Sequence, residues 1–112
     1  SGMPALGAVV PRPSVVQVFP RGCVVAVVSP TLLRELEDVS SPQICEVPET
    51  QACLVLGHGV QPGSKRLEVF QLGHGRRGWI SCVASSGRKL VTMTAPPGSA
   101  ESARAEAEAM EA

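Results

Sequence analysis

Two histidines, four cysteines and a set of basic residues around the single tryptophan are the side chains of this chain that could do chemistry. Both histidines sit inside a repeated tetrapeptide, Leu-Gly-His-Gly, at residues 56–59 and 72–75. Paired histidines in glycine-rich turns invite a metal reading, because imidazole is a common ligand of zinc. The spacing argues against it. Residues 65–72 between the two turns read as a strand, which at about 3.3 Å per residue holds the turns about 25 Å apart. Neither histidine has an Asp, Glu or Cys within three residues to complete a ligand set. No metal or cofactor is expected.

The cysteines are Cys23, Cys45, Cys53 and Cys82, with no Cys-x-x-Cys pair among them. An even count permits two disulfides in an oxidising compartment. Each cysteine, however, lies in an apolar, strand-like run, where a free thiol packs as a small hydrophobe. Cys82 follows His74 by eight residues, so a Cys-His nucleophile is formally available. Alternation places Cys82 on the same strand face as Ile80, among apolar neighbours. Reactive thiols need an electropositive, partly exposed setting, and no acid is placed to orient His74. The glycines match neither a phosphate-binding loop nor a dinucleotide fingerprint. The chain is expected to be non-enzymatic.

Arg76 and Arg77 stand beside Trp79, where they could hold a phosphate or stack on the ring. With Lys65, Arg66, Arg88 and Lys89 they make a modest basic strip. Nucleic-acid binding would want aromatic platforms, and the chain is 3% aromatic with no Tyr. Its formal net charge is zero, split into about +3 over residues 1–98 and −3 over residues 99–112. No nucleic-acid partner is expected. The longest apolar run, residues 23–28, is far short of the roughly 20 residues that a membrane helix needs.

The elements that must position these residues are mostly strands. Residues 65–91 read as strand, glycine turn, strand, glycine turn, strand. Leu67, Val69 and Gln71 alternate with Glu68, Phe70 and Leu72, and Trp79, Ser81 and Val83 alternate with Ile80 and Cys82. Period-two runs bounded by Gly and Ser clusters are the hairpin signature. Upstream, residues 22–29 form a continuous apolar run that reads as a buried strand. Residues 31–41 are the most helical-looking stretch of the body, a two-turn helix or only a loop with a helical turn, with Thr31 able to cap and Leu32, Leu33, Leu36 and Val39 at helical spacing. Residues 42–47 and 51–56 read as strands, and residues 57–64 as a long mobile hairpin loop. Residues 99–112 alternate Ala and Glu in a helix-forming tail. The fold class is therefore mainly β: a small antiparallel barrel (residues 22–93) with an extended Pro-rich N-terminal arm (1–21) and a linker and short C-terminal helix (94–112).

Several segments occur in a suggestive order: Val27-Val28, Ser41-Pro42, Lys65-Arg66-Leu67-Glu68-Val69, Gly78-Trp79-Ile80-Ser81 and Ser86-Gly87-Arg88-Lys89-Leu90-Val91. The set resembles the bacterial-type SH3-like (SH3b) domains found in protist proteins, over roughly residues 22–93. Gly-Trp-Ile-Ser is the most specific piece. The resemblance implies an SH3-like barrel in which Trp79 packs the last hairpin, and it implies binding rather than catalysis. One departure is local: where the family usually has a glycine before its third strand, this chain has Pro48-Glu49-Thr50.

A small core flanked by two composition-biased arms suggests a structural subunit of a larger assembly. Ordering such arms costs about 1–2 kcal/mol of backbone entropy per residue, which contacts with neighbouring protein subunits would offset. The candidate contact residues are Arg12, Val15, Val16 and Phe19 on the arm, and His74, Arg76, Arg77 and Trp79 around the turn. The Ser-Gly start reads either as a processed terminus or as a start that is not the native one. Processing would imply delivery to an organelle, a mitochondrion or plastid, and a place at the periphery of a membrane complex such as a photosystem. The alternative is a free-standing binding module for a peptide or polysaccharide.

Overall fold

A computed structural model describes residues 18–61 and 63–111. Arg12, Val15 and Val16, the arm residues expected at an interface, lie outside the described residues. Seven strands follow one another: β1 (Val24–Val27), β2 (Thr31–Arg34), β3 (Gln43–Val47), β4 (Ala52–His58), β5 (Arg66–Gln71), β6 (Arg76–Ser81) and β7 (Val91–Ala95). A single 3-10 turn (Pro97–Ser99) leads into the helix α1 (Glu101–Glu111). The strands form one antiparallel sheet in the order β3-β2-β6-β5-β4-β1-β7.

The sheet curls around its own inner face. Val25, Val27, Leu33, Val47, Val55, Leu67, Val69, Ile80 and Val91, drawn from all seven strands, share one core. β3 and β7 stand at the two ends of the strand order, so the barrel is not closed. The alternation expected in β5 holds: Leu67 and Val69 face the core, while Phe70 belongs to a second cluster on the outer face. Burial on both faces explains the unbroken apolar run of β1, where Val24 joins the outer cluster and Val25 the inner one.

The outer cluster is where α1 docks. Ala100 and Ala107 are buried against Val24, Leu54 and Phe70, with Ala103 beside them. Positions i, i+3 and i+7 lie on one helix face, and side chains of one carbon allow close approach. A helix of this length is marginal alone. Burying three methyl groups, at about 0.8 kcal/mol each, helps to fix it. The tail expected to reach out to a neighbour therefore lies against the sheet of its own chain.

Residues 31–41 are a second correction. Thr31–Arg34 is a strand, because Leu33 is needed in the core. Residues 35–41 form a loop, and their own polar side chains explain why. The Ser41 hydroxyl accepts from the Leu36 N–H (3.2 Å) and donates to the Asp38 carbonyl (2.6 Å). The Asp38 carboxylate accepts from the Ser40 N–H (2.8 Å). Side chains that capture nearby backbone groups in this way compete with helix formation.

Phe19 is a third. Expected on an arm that lies on another surface, it is instead part of the inner core of its own chain. The chain reverses at Pro20–Gly22, with Cys23 N–H donating to the Pro20 carbonyl (3.1 Å) and Gly22 at φ 91°. That turn folds the aromatic ring back under β1. At the β3–β4 turn, Thr50 adopts φ 76°. That backbone region is one that favours glycine.

Candidate functional site

The site is built where β2 crosses β6. Their ladder consists of one pair, Arg34 with Trp79. Contact there depends on Gly78: a Cβ at that position would stand 2.7 Å from the Arg34 carbonyl oxygen and 2.9 Å from Leu33 Cγ. Away from the crossing, β2 keeps its pairing with β3, while Thr31, Leu32 and Leu33 have no ladder partner on β6. The seam opens into a cleft of about 320 Å³ whose walls include Leu32, Arg34, Ala84, Arg88 and Leu90. A second cleft, of about 540 Å³, lies between residues 37–39 and residues 61 and 63–66. Val39, Arg66 and Ser81 line both clefts and join them into one groove.

Arg66 holds the groove together. It is 8% exposed, an unusual place for a cation unless its donors are met. They are met by oxygens from three directions. Nε donates to the Glu37 carbonyl (2.8 Å), Nη1 to the Ser81 hydroxyl (2.9 Å), and Nη2 to the carbonyls of Leu36 and Trp79 (both 3.4 Å). Burial, and after it the nearby charge of Arg34, pull the guanidinium below its ordinary pKa. The chain order explains the convergence: β5 starts at Arg66, opposite Ser81 of β6, and the 35–41 loop folds over the pair.

Glu37 ties this loop to the next one. Its carboxylate accepts from the N–H groups of Val60 (3.1 Å) and Gln61 (3.2 Å). Desolvation opposes its charge, but these two donors, the Ser64 hydroxyl and the charge of Arg66 outweigh it and hold the carboxyl below its ordinary value. The loop expected to be mobile at residues 57–64 is therefore shortened by β4, which runs to His58, and braced by Glu37. Three apolar side chains on these two loops face solvent: Leu36 at 60%, Val39 at 61% and Val60 at 87% exposure.

The residues expected to form a binding surface are dispersed. His74 and Arg76 are exposed at the β5–β6 turn. Arg77 is exposed and its Nε donates to the Glu68 carboxylate at 3.0 Å. Trp79 is half-buried, outside both apolar clusters, and its backbone pairs with Glu68 and Arg34. Phe19 is remote from all of them in the core. The basic strip is also divided. Arg66 pairs with Ser81 at one end of the β5–β6 ladder and Gln71 with Arg76 at the other, five residues along β5, or about 17 Å. Glu37, Val39 and Arg34 were missed in the sequence because their segment looked helical. Arg66 was noticed only as a surface charge.

The thiols are free and three of the four are buried. Burial, reinforced by neighbouring Cys45, pushes the Cys53 thiol up to about 12. Burial also raises Cys23 and Cys82, so these groups stay protonated and inert at neutral pH. His58 bonds the Phe19 carbonyl through Nε2 at 2.7 Å. Among the described residues, no three His, Cys, Asp or Glu side chains gather in a way that could hold a metal ion. No helix of the described residues is long and apolar enough to cross a membrane. Comparison with protein-family models, curated proteins and solved structures finds no match for this chain.

Proposed function

We propose that this chain is a non-enzymatic protein-interaction module, a small SH3-like β-domain of the bacterial type that serves as a subunit of a larger assembly. The observation that carries this reading is the trio Leu36, Val39 and Val60, exposed on two loops that Glu37 and Arg66 fix to the sheet. Apolar side chains held in water by a braced scaffold favour burial against a partner, and a fixed scaffold lowers the ordering cost of binding. The groove beneath them is open and lined by backbone-satisfied polar groups, which suits recognition of a chain segment. A second reading, a free-standing binding module, is favoured by α1, which is satisfied on its own sheet rather than left for a neighbour.

The test is hydrogen exchange on the chain alone and within its native extract. Slower exchange of residues 35–41 and 59–65 in the extract is the expected result. Equal exchange in both settings, with the chain eluting as a monomer, would remove the assembly reading.

A further inference from the structure

The charges along the groove are unequal in how far they are already used. Glu37 accepts from Val60 and Gln61, and Asp38 from Ser40, through both its N–H and its hydroxyl. Arg66 spends its donors on carbonyls and on Ser81. The remaining charges are basic. Lys65 lines the larger cleft, and Arg34 and Arg88 line the smaller one. Among the described residues none of these three forms an ion pair with a carboxylate, and Arg34 makes one bond, from Nη1 to the Ser41 carbonyl at 2.8 Å. Among the described residues, the wall of the smaller cleft holds no acidic side chain. Along the same cleft, and among the described residues, β2 lacks a ladder partner on its β6 side from Thr31 to Leu33.

We propose that this groove binds an extended, acidic peptide segment, which lies alongside β2 in the open seam and presents carboxylates to Arg34, Arg88 and Lys65. The proposal rests on the interaction reading above and names its ligand. An extended chain is the occupant that a strand with open ladder positions accepts, since main-chain bonds supply affinity and side-chain contacts supply selectivity. Alternate side chains of such a segment point to opposite faces. One set meets the apolar Leu32, Val39 and Leu90, and the other the basic rim. A basic segment would bring like charges to Arg34 and Arg88, with no acidic wall to offset them.

The probe is a fluorescent peptide of about twelve residues alternating Glu and Val. A Lys-Val peptide of equal length and a polygalacturonate chain serve as comparators. Anisotropy is measured on the full chain, with amide shifts to locate binding. The Glu-Val peptide is expected to bind, to shift residues 31–34 and 81–90, and to lose about a hundredfold in affinity with Arg88→Glu plus Lys65→Glu. Arg76→Glu, at the far end of the β5–β6 ladder, is expected to leave binding unchanged. All three are exposed positions, and circular dichroism checks that each variant folds. Unchanged affinity in the double variant, tighter binding of the Lys-Val peptide, or no binding of either peptide overturns the proposal. Equal binding of polygalacturonate overturns it in favour of an acidic glycan. If any of these results comes with protection of residues 35–41 and 59–65 in the native extract, the ligand assignment falls while the interaction reading stands.

Discussion

The two ends of the β5–β6 ladder carry the same ingredients. Each has a Leu-Gly-His-Gly tetrapeptide and a pair of basic residues: residues 56–59 with Lys65-Arg66 at one end, residues 72–75 with Arg76-Arg77 at the other. At the first end the histidine is half-buried and bonds the Phe19 carbonyl, and Arg66 is enclosed by oxygens from β6 and the 35–41 loop. At the second end His74, Arg76 and Arg77 face water, and Gly73 and Gly75 serve a tight turn at φ 82° and 72°. A loop closes over the first end. At the second, the contacts from outside are the Gln51 side chain, which donates to the Leu72 carbonyl (2.8 Å), and the Glu106 carboxylate of α1, which accepts from Gly73 N–H, together with the ladder bond from Leu72 N–H to the Ala52 carbonyl. Identical side chains thus become framework or surface according to what folds over them.

The largest expected difference between the ends lies in the arginines. Arg66→Ala removes the charged donor shared by the Ser81 hydroxyl and three carbonyls near a cleft and should cost about 3 kcal/mol. Arg76→Ala should stay within about 0.5 kcal/mol. Urea unfolding of both variants checks this, and equal losses would erase the contrast between the ends.

Next come the glycines. Gly78→Ala drives a methyl into the Arg34 carbonyl and Leu33, an overpacking that should cost about 2–3 kcal/mol. Gly73→Ala meets open space but keeps a positive φ, so about 1 kcal/mol is expected. Thermal midpoints that ranked Gly73→Ala as the worse of the two would show that the β2–β6 crossing is not tight.

The histidines follow. His58→Ala loses a bond to a buried segment, at about 1 kcal/mol, whereas His74→Ala should be silent. The smallest effect is an acid loosening confined to the first end. Glu37 has a folded pKa below its unfolded value. Its contribution is therefore fully present above the unfolded pKa and is lost as pH falls through the folded one. The amide shifts of Val60 and Gln61 should titrate together, with a midpoint below the ordinary carboxylate range. A midpoint at or above that range would mean that Glu37 does not brace the loops.

The strands of residues 65–81 were legible because alternation is a local pattern, and Leu67, Val69, Phe70, Ile80 and Cys82 fall on the faces it assigns them. The C-terminal helix was legible from propensity, though its docking was not, since an alanine face has almost no hydrophobic contrast to reveal it. The helical reading of residues 35–41 fails for a definable reason. Leu32, Leu33, Leu36 and Val39 mimic a helical stripe, while the side chains of Asp38, Ser40 and Ser41 decide the backbone. The groove could not be read at all. Its parts come from residues 31–39, 61–66 and 81–90, and nothing in any one of them announces the others.

By itself the sequence determined a mainly β chain with two-faced strands, turn glycines, a C-terminal helix and thiols placed in apolar runs. These follow from steric preference and hydrophobic period, which act between residues a few positions apart. The tertiary structure alone decided which of two equivalent histidine turns is half-buried and bonded to the core segment, that Phe19 belongs to the core, and that Arg66 is enclosed. Those outcomes depend on partners 29 to 39 residues away. Burial of a charge or a ring is settled by which distant oxygens and methyl groups the folded sheet brings to it, and local spacing carries no record of that.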